Sequence, residues 1–300
     1  MAGNPILSEG DRYKPDEIGV IGATSLVGEF LLPMLTQSGW RVTAYSRRMA
    51  GQAVNGVEWQ KFSSFQRVKK DLPYWICLAP IWVLPEYFTL LKAHGVRRIV
   101  VLSSTSRFTK EDSLNPQEQT VAQRLAEAEL HVQAWAEKNR VKWVILRTTM
   151  IYDFKRDQNI TEIARFIRCF GFFPLLGEAS GLRQPIHAQD VAGACMAALK
   201  PIGPDNRAYN LCGGETLSYR EMVTRIFTAC GLQARFLPVP LWAFRIAVAL
   251  MCCLPRYRQW SAAMIHRMNK DMVFDNSDAV RDLRFSPRPF RLNRKAVQGV

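Results

Sequence analysis

The chain has 300 residues, and 48% of them are hydrophobic, which is enough to bury the core of one large domain or slightly more. Its formal net charge is +14, of which +6 comes from residues 256–300, where ten Lys and Arg residues outnumber four Asp and Glu residues. No helix-turn-helix, zinc-finger or aromatic RNA-binding pattern accompanies this charge. Nucleic acid is therefore the least expected partner, after a phosphate-bearing small molecule and an anionic membrane surface.

The seven cysteines are scattered and never spaced as C-x-x-C, which predicts reduced thiols in a cytoplasmic protein without a metal site. Residues 1–16 are polar and show no signal-peptide pattern. No apolar run approaches the roughly 18 residues that a membrane-spanning helix needs. The segment 237–258 is nonetheless almost wholly apolar between arginines. It is interpreted either as a buried or dimer-forming helix, or as a peripheral membrane contact of a membrane-associated protein.

The first predicted elements are a buried strand at 18–22, a turn of small residues, and a helix that continues to about Ser38. The first N–H groups of a helix lack partners and lie at the positive end of its dipole, so this arrangement suits an anion. Gly22 permits the tight turn and Gly28 permits close packing of the helix, while Ser25 replaces the middle glycine of a G-x-x-G-x-x-G pattern. The predicted nucleotide-binding residues are Gly22, Thr24, Ser25, Leu26, Val27 and Gly28.

Strands and helices continue to alternate through the first half of the chain. Strands are predicted at 41–46, 57–62, 74–79, 98–102 and 141–146, and helices at 81–94 and 116–140. Continuous apolar strands separated by helices predict an α/β fold with a parallel sheet covered on both faces.

The second half predicts a smaller, α-rich C-terminal lobe. It contains a helix at 159–170, a loop at 171–184, a helix capped by Asp190, a strand at 209–212, and a helix capped by Ser218 with Glu221. The predicted organisation is a polar tail at 1–16, a dinucleotide-binding domain at 17–152, and a substrate lobe at 153–300 from which some segments return to the sheet.

The residues after the second strand indicate the type of cofactor. An acidic residue there would bind the adenosine ribose of NAD, but the chain has Ser46, Arg47 and Arg48. A guanidinium can bind a 2′-phosphate, so Arg47 favours NADP over NAD.

Several ordered motifs resemble one enzyme family. They are GATSLVG at 22–28, RIVVLSSTS at 98–106, ILRTTMIYD at 145–153, RQPIHAQDVA at 183–192 and YNLCGGETLSYREM at 209–222. Together they resemble the extended and atypical short-chain dehydrogenase/reductases, and more narrowly the nucleoside-diphosphate-sugar epimerase/dehydratase relatives. The resemblance implies a Rossmann-like, doubly wound domain with a small substrate lobe, and a homodimer that pairs through the long helix.

The resemblance also implies roles for individual residues. Thr105 matches the catalytic hydroxyl, Ala79 and Ser103 match positions beside the cofactor, and Arg183 is a candidate for contact with an anionic substrate. The Tyr-x-x-x-Lys pair of the family is missing, because Thr120 and Arg124 stand at its positions. Arg124 can still hold a ribose hydroxyl but cannot titrate near neutral pH.

Without that pair, three interpretations of function stay open. In the first, the protein is an oxidoreductase or epimerase-like enzyme that transfers hydride to or from a carbonyl or nucleotide sugar, with Tyr152 or Lys110 as a substitute proton donor. In the second, it holds NADP without catalysis and regulates or stabilises a partner. In the third, it is a peripheral membrane enzyme for a lipid-linked substrate.

Overall fold

The computed structural model describes nine stretches of the chain: 17–47, 55–62, 70–113, 115–153, 157, 159–175, 177–200, 205–239 and 268–292. The predicted polar tail at 1–16, Arg48, and all but the first three residues of the apolar segment 237–258 lie outside these stretches.

Strands and helices alternate as the apolar pattern predicts. The strands are β1 Glu17–Ile21, β2 Arg41–Ser46, β3 Val57–Lys61, β4 Tyr74–Cys77, β5 Arg98–Ser104, β6 Lys142–Thr148, β7 Ile151–Tyr152, β8 Phe173–Leu175, β9 Leu182–Arg183, β10 Ile186–His187, β11 Arg207–Leu211, β12 Leu217–Ser218 and β13 Phe236–Pro238. The helices are α1 Leu26–Gln37, α2 Phe88–Ala93, α3 Ser106–Thr109, α4 Pro116–Lys138, α5 Ile160–Phe170, α6 Ala188–Ala198, α7 Tyr219–Ala229 and α8 Ser277–Leu283, with a 3-10 helix at Ile81–Tyr87.

Seven of the strands form one parallel sheet in the order β11-β6-β5-β4-β1-β2-β3, which confirms the predicted Rossmann-like fold class. The register pairs Ile21 of β1 with Tyr45 of β2 on one side and with Cys77 of β4 on the other. The carboxyl ends of these three neighbouring strands therefore lie side by side at one edge of the sheet. In a doubly wound sheet this edge is where ligands bind.

The chain forms two compact units, each assembled from three stretches. The first comprises Met1–Leu102, Ala128–Ile145 and Ala192–Arg207, and the second comprises Ser103–Glu127, Leu146–Val191 and Ala208–Val300. No helix in the described part of the chain is long and apolar enough to cross a membrane.

The core of the first unit contains a buried cation. Arg98, with 2% of its surface exposed, donates from Nη1 to the Ala198 carbonyl at the end of α6 over 3.0 Å and pairs through Nη2 with Asp205. Lys142 Nζ lies 2.6 Å from the other oxygen of Asp205. A buried guanidinium needs such partners, because losing water without them costs several kcal/mol.

The core of the second unit forms where α5 and α7 pack with β8, around side chains that include Phe166, Phe173, Ile226 and Phe227. Ser218 begins α7 as predicted, since its hydroxyl accepts a hydrogen bond from the Glu221 N–H at 3.1 Å.

Three local predictions differ from the structure, the first of them only in the type of helix. The helix expected at 81–94 is a 3-10 helix followed by a short α-helix, because Pro85 has no N–H to donate and disrupts α-helical bonding. The loop expected at 171–184 contains β8 and β9, which are too short to show periodicity and form because β13 and β12 pair with them.

The third error concerns Asp190, which does not cap α6 but lies within its first turn. Its carboxylate instead accepts hydrogen bonds from the Arg288 backbone N–H at 3.0 Å and from Arg288 Nε at 2.8 Å. His187 precedes the helix, and its Nδ1 accepts the Gln189 N–H at 3.1 Å. The His187 imidazole, and not the Asp190 carboxylate, thus accepts a backbone N–H at the start of α6.

Candidate functional site

The turn between β1 and α1 has the geometry that the sequence predicts. Gly22 has φ +74°, a left-handed conformation that residues with a Cβ rarely adopt. A Cβ added there would lie 2.5 Å from the Ala79 backbone nitrogen, so only glycine lets the turn lie against the end of β4. A Cβ on Gly28 would lie 2.0 Å from the Ala23 carbonyl oxygen. Both glycines are therefore required by close backbone approach.

Ser25 is the N-cap of α1. Its Oγ accepts a hydrogen bond from the Gly28 N–H at 3.2 Å, and its own N–H donates to the Gly22 carbonyl at 2.9 Å. Within the described residues, the N–H groups of Leu26 and Val27 in the first helical turn donate to no acceptor of the protein. These two amides and the positive end of the helix dipole form an arrangement that suits an anion in front of α1, to which the Ser25 hydroxyl can add a donor.

Arg47 is exposed and follows the last residue of β2, at the same sheet edge as the turn. Phe62 lies beside it, since the Phe62 N–H donates to the Ser46 carbonyl at 3.1 Å. The centroid of the Phe62 ring lies 4.0 Å from that of the Tyr87 ring, and the two rings are tilted by 40° to each other. Burial raises the pKa of Tyr87 and the Glu86 charge raises it further, whereas the Arg47 charge lowers it, which places the guanidinium close to this aromatic pair.

Sequence reasoning missed Phe62 and Tyr87 as candidate site residues. They are about 25 positions apart in the chain, and no local pattern connects them. The signal that was available is topological, because the residues that follow neighbouring parallel strands meet at one edge of the sheet.

The second unit contains the predicted hydroxyl residues. Thr105 is buried, its Oγ1 donates to the Thr148 carbonyl at 3.2 Å, and its N–H donates to the same oxygen at 3.0 Å. The Thr148 hydroxyl in turn donates to the Ser103 carbonyl at 3.2 Å. The hydroxyl proton of Thr105 is therefore already in a hydrogen bond within the protein, and the hydroxyl oxygen can still accept a further hydrogen bond. Thr148 lies within the ILRTTMIYD motif at 145–153, but sequence reasoning did not single it out as a site residue.

The two positions at which the family resemblance leads us to expect a Tyr-x-x-x-Lys pair lie on α4. Thr120 and Arg124 are both exposed, one helical turn apart. The Thr120 hydroxyl donates to the Pro116 carbonyl at 2.9 Å. Neither side chain can supply a phenolic proton.

The two substitute donors differ in their surroundings. Tyr152 is buried, its ring meets the rings of His187 at 5.2 Å and Phe290 at 4.9 Å, and burial raises its pKa to about 12. A phenol with so high a pKa is a weak acid near neutral pH. Lys110 is half-buried at the end of α3.

Arg183, the candidate substrate contact, is buried. Its Nη1 donates to the Leu182 carbonyl at 2.7 Å and to the Lys270 carbonyl at 2.8 Å, and its guanidinium lies 5.5 Å from the centre of the Tyr219 ring. These contacts give Arg183 a structural role, and its contact with a substrate stays a prediction.

In the part of the chain that the structure describes, no cluster of three or more His, Cys, Asp or Glu side chains has the arrangement of a metal site. The five cysteines in this part are all free thiols.

Comparison with known proteins adds independent information. Residues 87–212 match the model of the NAD dependent epimerase/dehydratase family. The chain is 26% identical over 148 residues to "NADH dehydrogenase [ubiquinone] 1 alpha subcomplex subunit 9, mitochondrial" of Arabidopsis thaliana, a match that covers 45% of the chain and 36% of that protein. It is 24% identical over 260 residues to the uncharacterized protein y4nG of Sinorhizobium fredii, which covers 82% of the chain and 63% of that protein. The matches thus span less than two thirds of either relative.

Solved structures with the same fold include nucleotide-sugar epimerases. A UDP-N-acetylglucosamine 4-epimerase from Methanobrevibacter ruminantium M1 in complex with UDP-N-acetylmuramic acid has a TM-score of 0.70 at 15% identity and covers 96% of this chain and 98% of that one. MoeE5 in complex with UDP-glucose and NAD has a TM-score of 0.67 at 21% identity and covers 94% and 96%. The match to the NAD dependent epimerase/dehydratase family model covers residues 87–212, and the likeness to these solved structures shows that the chain shares their fold.

Proposed function

We propose that the protein binds a pyridine dinucleotide with its pyrophosphate in front of α1. The observation that carries this proposal is the β1–α1 turn, where a left-handed Gly22 touches the end of β4 and the amides of Leu26 and Val27 have no acceptor among the described residues. The Ser25 hydroxyl would add a further donor to the phosphate. A Cβ at Gly22 would displace the turn, so the glycine is needed for this shape.

We further propose NADP as the dinucleotide, with its 2′-phosphate on Arg47. The guanidinium is exposed at the end of β2, and the neighbouring Phe62 and Tyr87 rings offer a surface on which adenine can stack. Several structures of the same fold were solved with NAD, among them the UDP-glucose 4-epimerase of Thermus thermophilus. The choice between the two dinucleotides is therefore the first property to measure.

Fluorescence titration with NADPH and NADH tests both proposals. Replacing Arg47 by Asp should weaken NADPH binding by about 10- to 100-fold, the value of one charge-assisted hydrogen bond to phosphate, and should affect NADH much less. Arg41→Asp is the matched control, because Arg41 is an exposed arginine at the opposite end of the same strand. Binding of neither dinucleotide by the wild type would overturn the proposed function, and equal effects of the two variants would overturn the role of Arg47.

As the reaction, we propose hydride transfer to or from a carbonyl or nucleotide-sugar substrate. The family match and the fold shared with nucleotide-sugar epimerases support this class. Thr105 would contact the substrate oxygen and Arg124 the nicotinamide ribose, with Tyr152 or Lys110 as the proton donor.

A second candidate function is non-catalytic binding of the dinucleotide in support of a partner protein. The observation that favours it is the replacement of the catalytic pair by Thr120 and Arg124, together with the hydrogen bond that already occupies the Thr105 proton. One relative, the Arabidopsis protein, is named as a subunit of a larger assembly.

Oxidation of bound NADPH in the presence of carbonyls and UDP-sugars separates the two candidates. Turnover that Thr105→Val reduces by about 100-fold or more would support the enzyme. Tight binding with no turnover across the panel would favour the accessory protein. Light scattering on the same sample tests the expected homodimer, which a monomeric mass would contradict.

A further inference from the structure

One surface of the second unit combines exposed apolar side chains with exposed arginines. It lies where α5 and α7 end and β13 begins, and we call it the α5–α7 face. Phe170 is 47% exposed, Leu232 41% and Leu237 49%, although hydrophobic side chains of this size are usually covered. The exposed arginines Arg168 and Arg235 complete the face.

These residues belong to one continuous surface. The Phe170 ring lies 6.3 Å from that of Phe172, and the next residue, Phe173, donates its N–H to the Arg235 carbonyl at 2.9 Å. β8 and β13 pair in register, with Pro174 beside Leu237. On the α7 side, burial raises the pKa of Cys230 and the charge of Arg168 lowers it, and Cys230 precedes Leu232 by two residues.

The charge of the face has one sign. Residues 163–177, which contain the end of α5 and β8, include no Asp or Glu and two arginines. Residues 222–270 include no Asp or Glu in 49 positions, but six Arg and one Lys. Residues 232–239 contribute to the face, and the residues that follow them in the sequence, to position 270, are likewise apolar and basic. A purely structural surface would be expected to mix both signs of charge.

We propose that the α5–α7 face binds an anionic lipid surface. Phe170, Leu232 and Leu237 would enter the boundary between headgroups and acyl chains, and Arg168 and Arg235 would contact lipid phosphates. A second copy of the chain is disfavoured as the occupant, because two such faces would bring arginines against arginines without a carboxylate between them. This inference is independent of the proposed dinucleotide site.

Vesicle flotation of the full-length protein tests the proposal. Wild-type protein should float with vesicles of phosphatidylcholine and phosphatidylglycerol, bind much less to pure phosphatidylcholine, and dissociate as salt is raised. Arg235→Gln should weaken partitioning about 5-fold, corresponding to about 1 kcal/mol for one basic residue at the surface. Phe170→Ser combined with Leu237→Ser should weaken it about 10-fold or more, because two half-exposed apolar side chains are lost from the contact.

Matched controls keep the test specific. Val280→Ser removes an apolar side chain that is 47% exposed on the acidic helix α8, and Lys92→Gln removes an exposed cation in the first unit. Both control variants should float as the wild type does. Unchanged urea midpoints and NADPH titrations would establish that the face variants are folded.

Four results would overturn the proposal. Two concern the wild type: it fails to bind anionic vesicles, or it binds neutral vesicles equally well. Two concern the face variants: they float no less than the control variants, or they alter the mass measured by light scattering while their flotation is unchanged. The last result would assign the face to a second copy of the chain.

Discussion

Gly22→Ala is the most informative single perturbation, because the chain contains a control with the same backbone conformation. Gly22 and Gly171 both have φ +74°, so alanine at either position is placed in the left-handed region at a cost of about 1 kcal/mol. The two sites differ in their surroundings. At Gly22 the new methyl carbon would lie 2.5 Å from the Ala79 nitrogen and 2.9 Å from the Leu78 carbonyl carbon, whereas at Gly171 no atom lies within 4 Å.

The close contacts at Gly22 are with backbone atoms, which cannot move aside as a flexible side chain does. Overpacking of this kind costs about 1–3 kcal/mol, so Gly22→Ala should lose about 2–4 kcal/mol of unfolding free energy and Gly171→Ala about 1 kcal/mol. The same displacement moves the turn away from the position that suits a pyrophosphate. NADPH affinity should therefore fall at least about 10-fold in Gly22→Ala and stay unchanged in Gly171→Ala.

Urea denaturation followed by tryptophan fluorescence measures the first quantity, and NADPH titration the second. If the two variants lose the same stability, the close approach of the turn to β4 does not constrain the fold. If Gly22→Ala is destabilised but binds NADPH as the wild type does, the dinucleotide is not held at this turn.

Three further predictions concern single side chains. Arg98→Ala should lose about 3 kcal/mol of unfolding free energy, because it leaves a cavity at a buried side chain and removes the donor to the Ala198 carbonyl, and a loss below about 1 kcal/mol would contradict this. Ser25→Ala and Ser218→Ala each remove a helix N-cap, and each should lower the unfolding free energy by about 1 kcal/mol. Only Ser25→Ala should weaken NADPH binding, and equal NADPH affinities of the two variants would exclude Ser25 from the site. Burial, and after it the Arg288 charge, lowers the pKa of His187 below 6.5 in the folded protein. The contribution of neutral His187 to stability is therefore present above pH 6.5 and is lost as the pH falls through the folded-state pKa. Urea titrations at acid pH should accordingly show a smaller loss of unfolding free energy in His187→Gln than in the wild type.

The sequence by itself determined the alternation of strands and helices and the nature of the β1–α1 turn. These features are local: β2 begins and ends where its apolar run predicts, and glycine occupies positions 22 and 28, where another backbone segment lies too close for a Cβ. The α7 cap was also predictable, because Ser218 and the residue whose N–H it accepts lie three positions apart in the chain.

Tertiary structure alone decided which polar groups satisfy one another. Thr105 donates to Thr148, 43 positions away, and Asp190 accepts from Arg288, 98 positions away. The short strands β8 and β9 exist only because distant strands supply their hydrogen-bond partners. The physical reason is that a hydroxyl or carboxylate can bind whichever donor or acceptor the fold places beside it, whereas backbone sterics and apolar periodicity are already present in the local sequence.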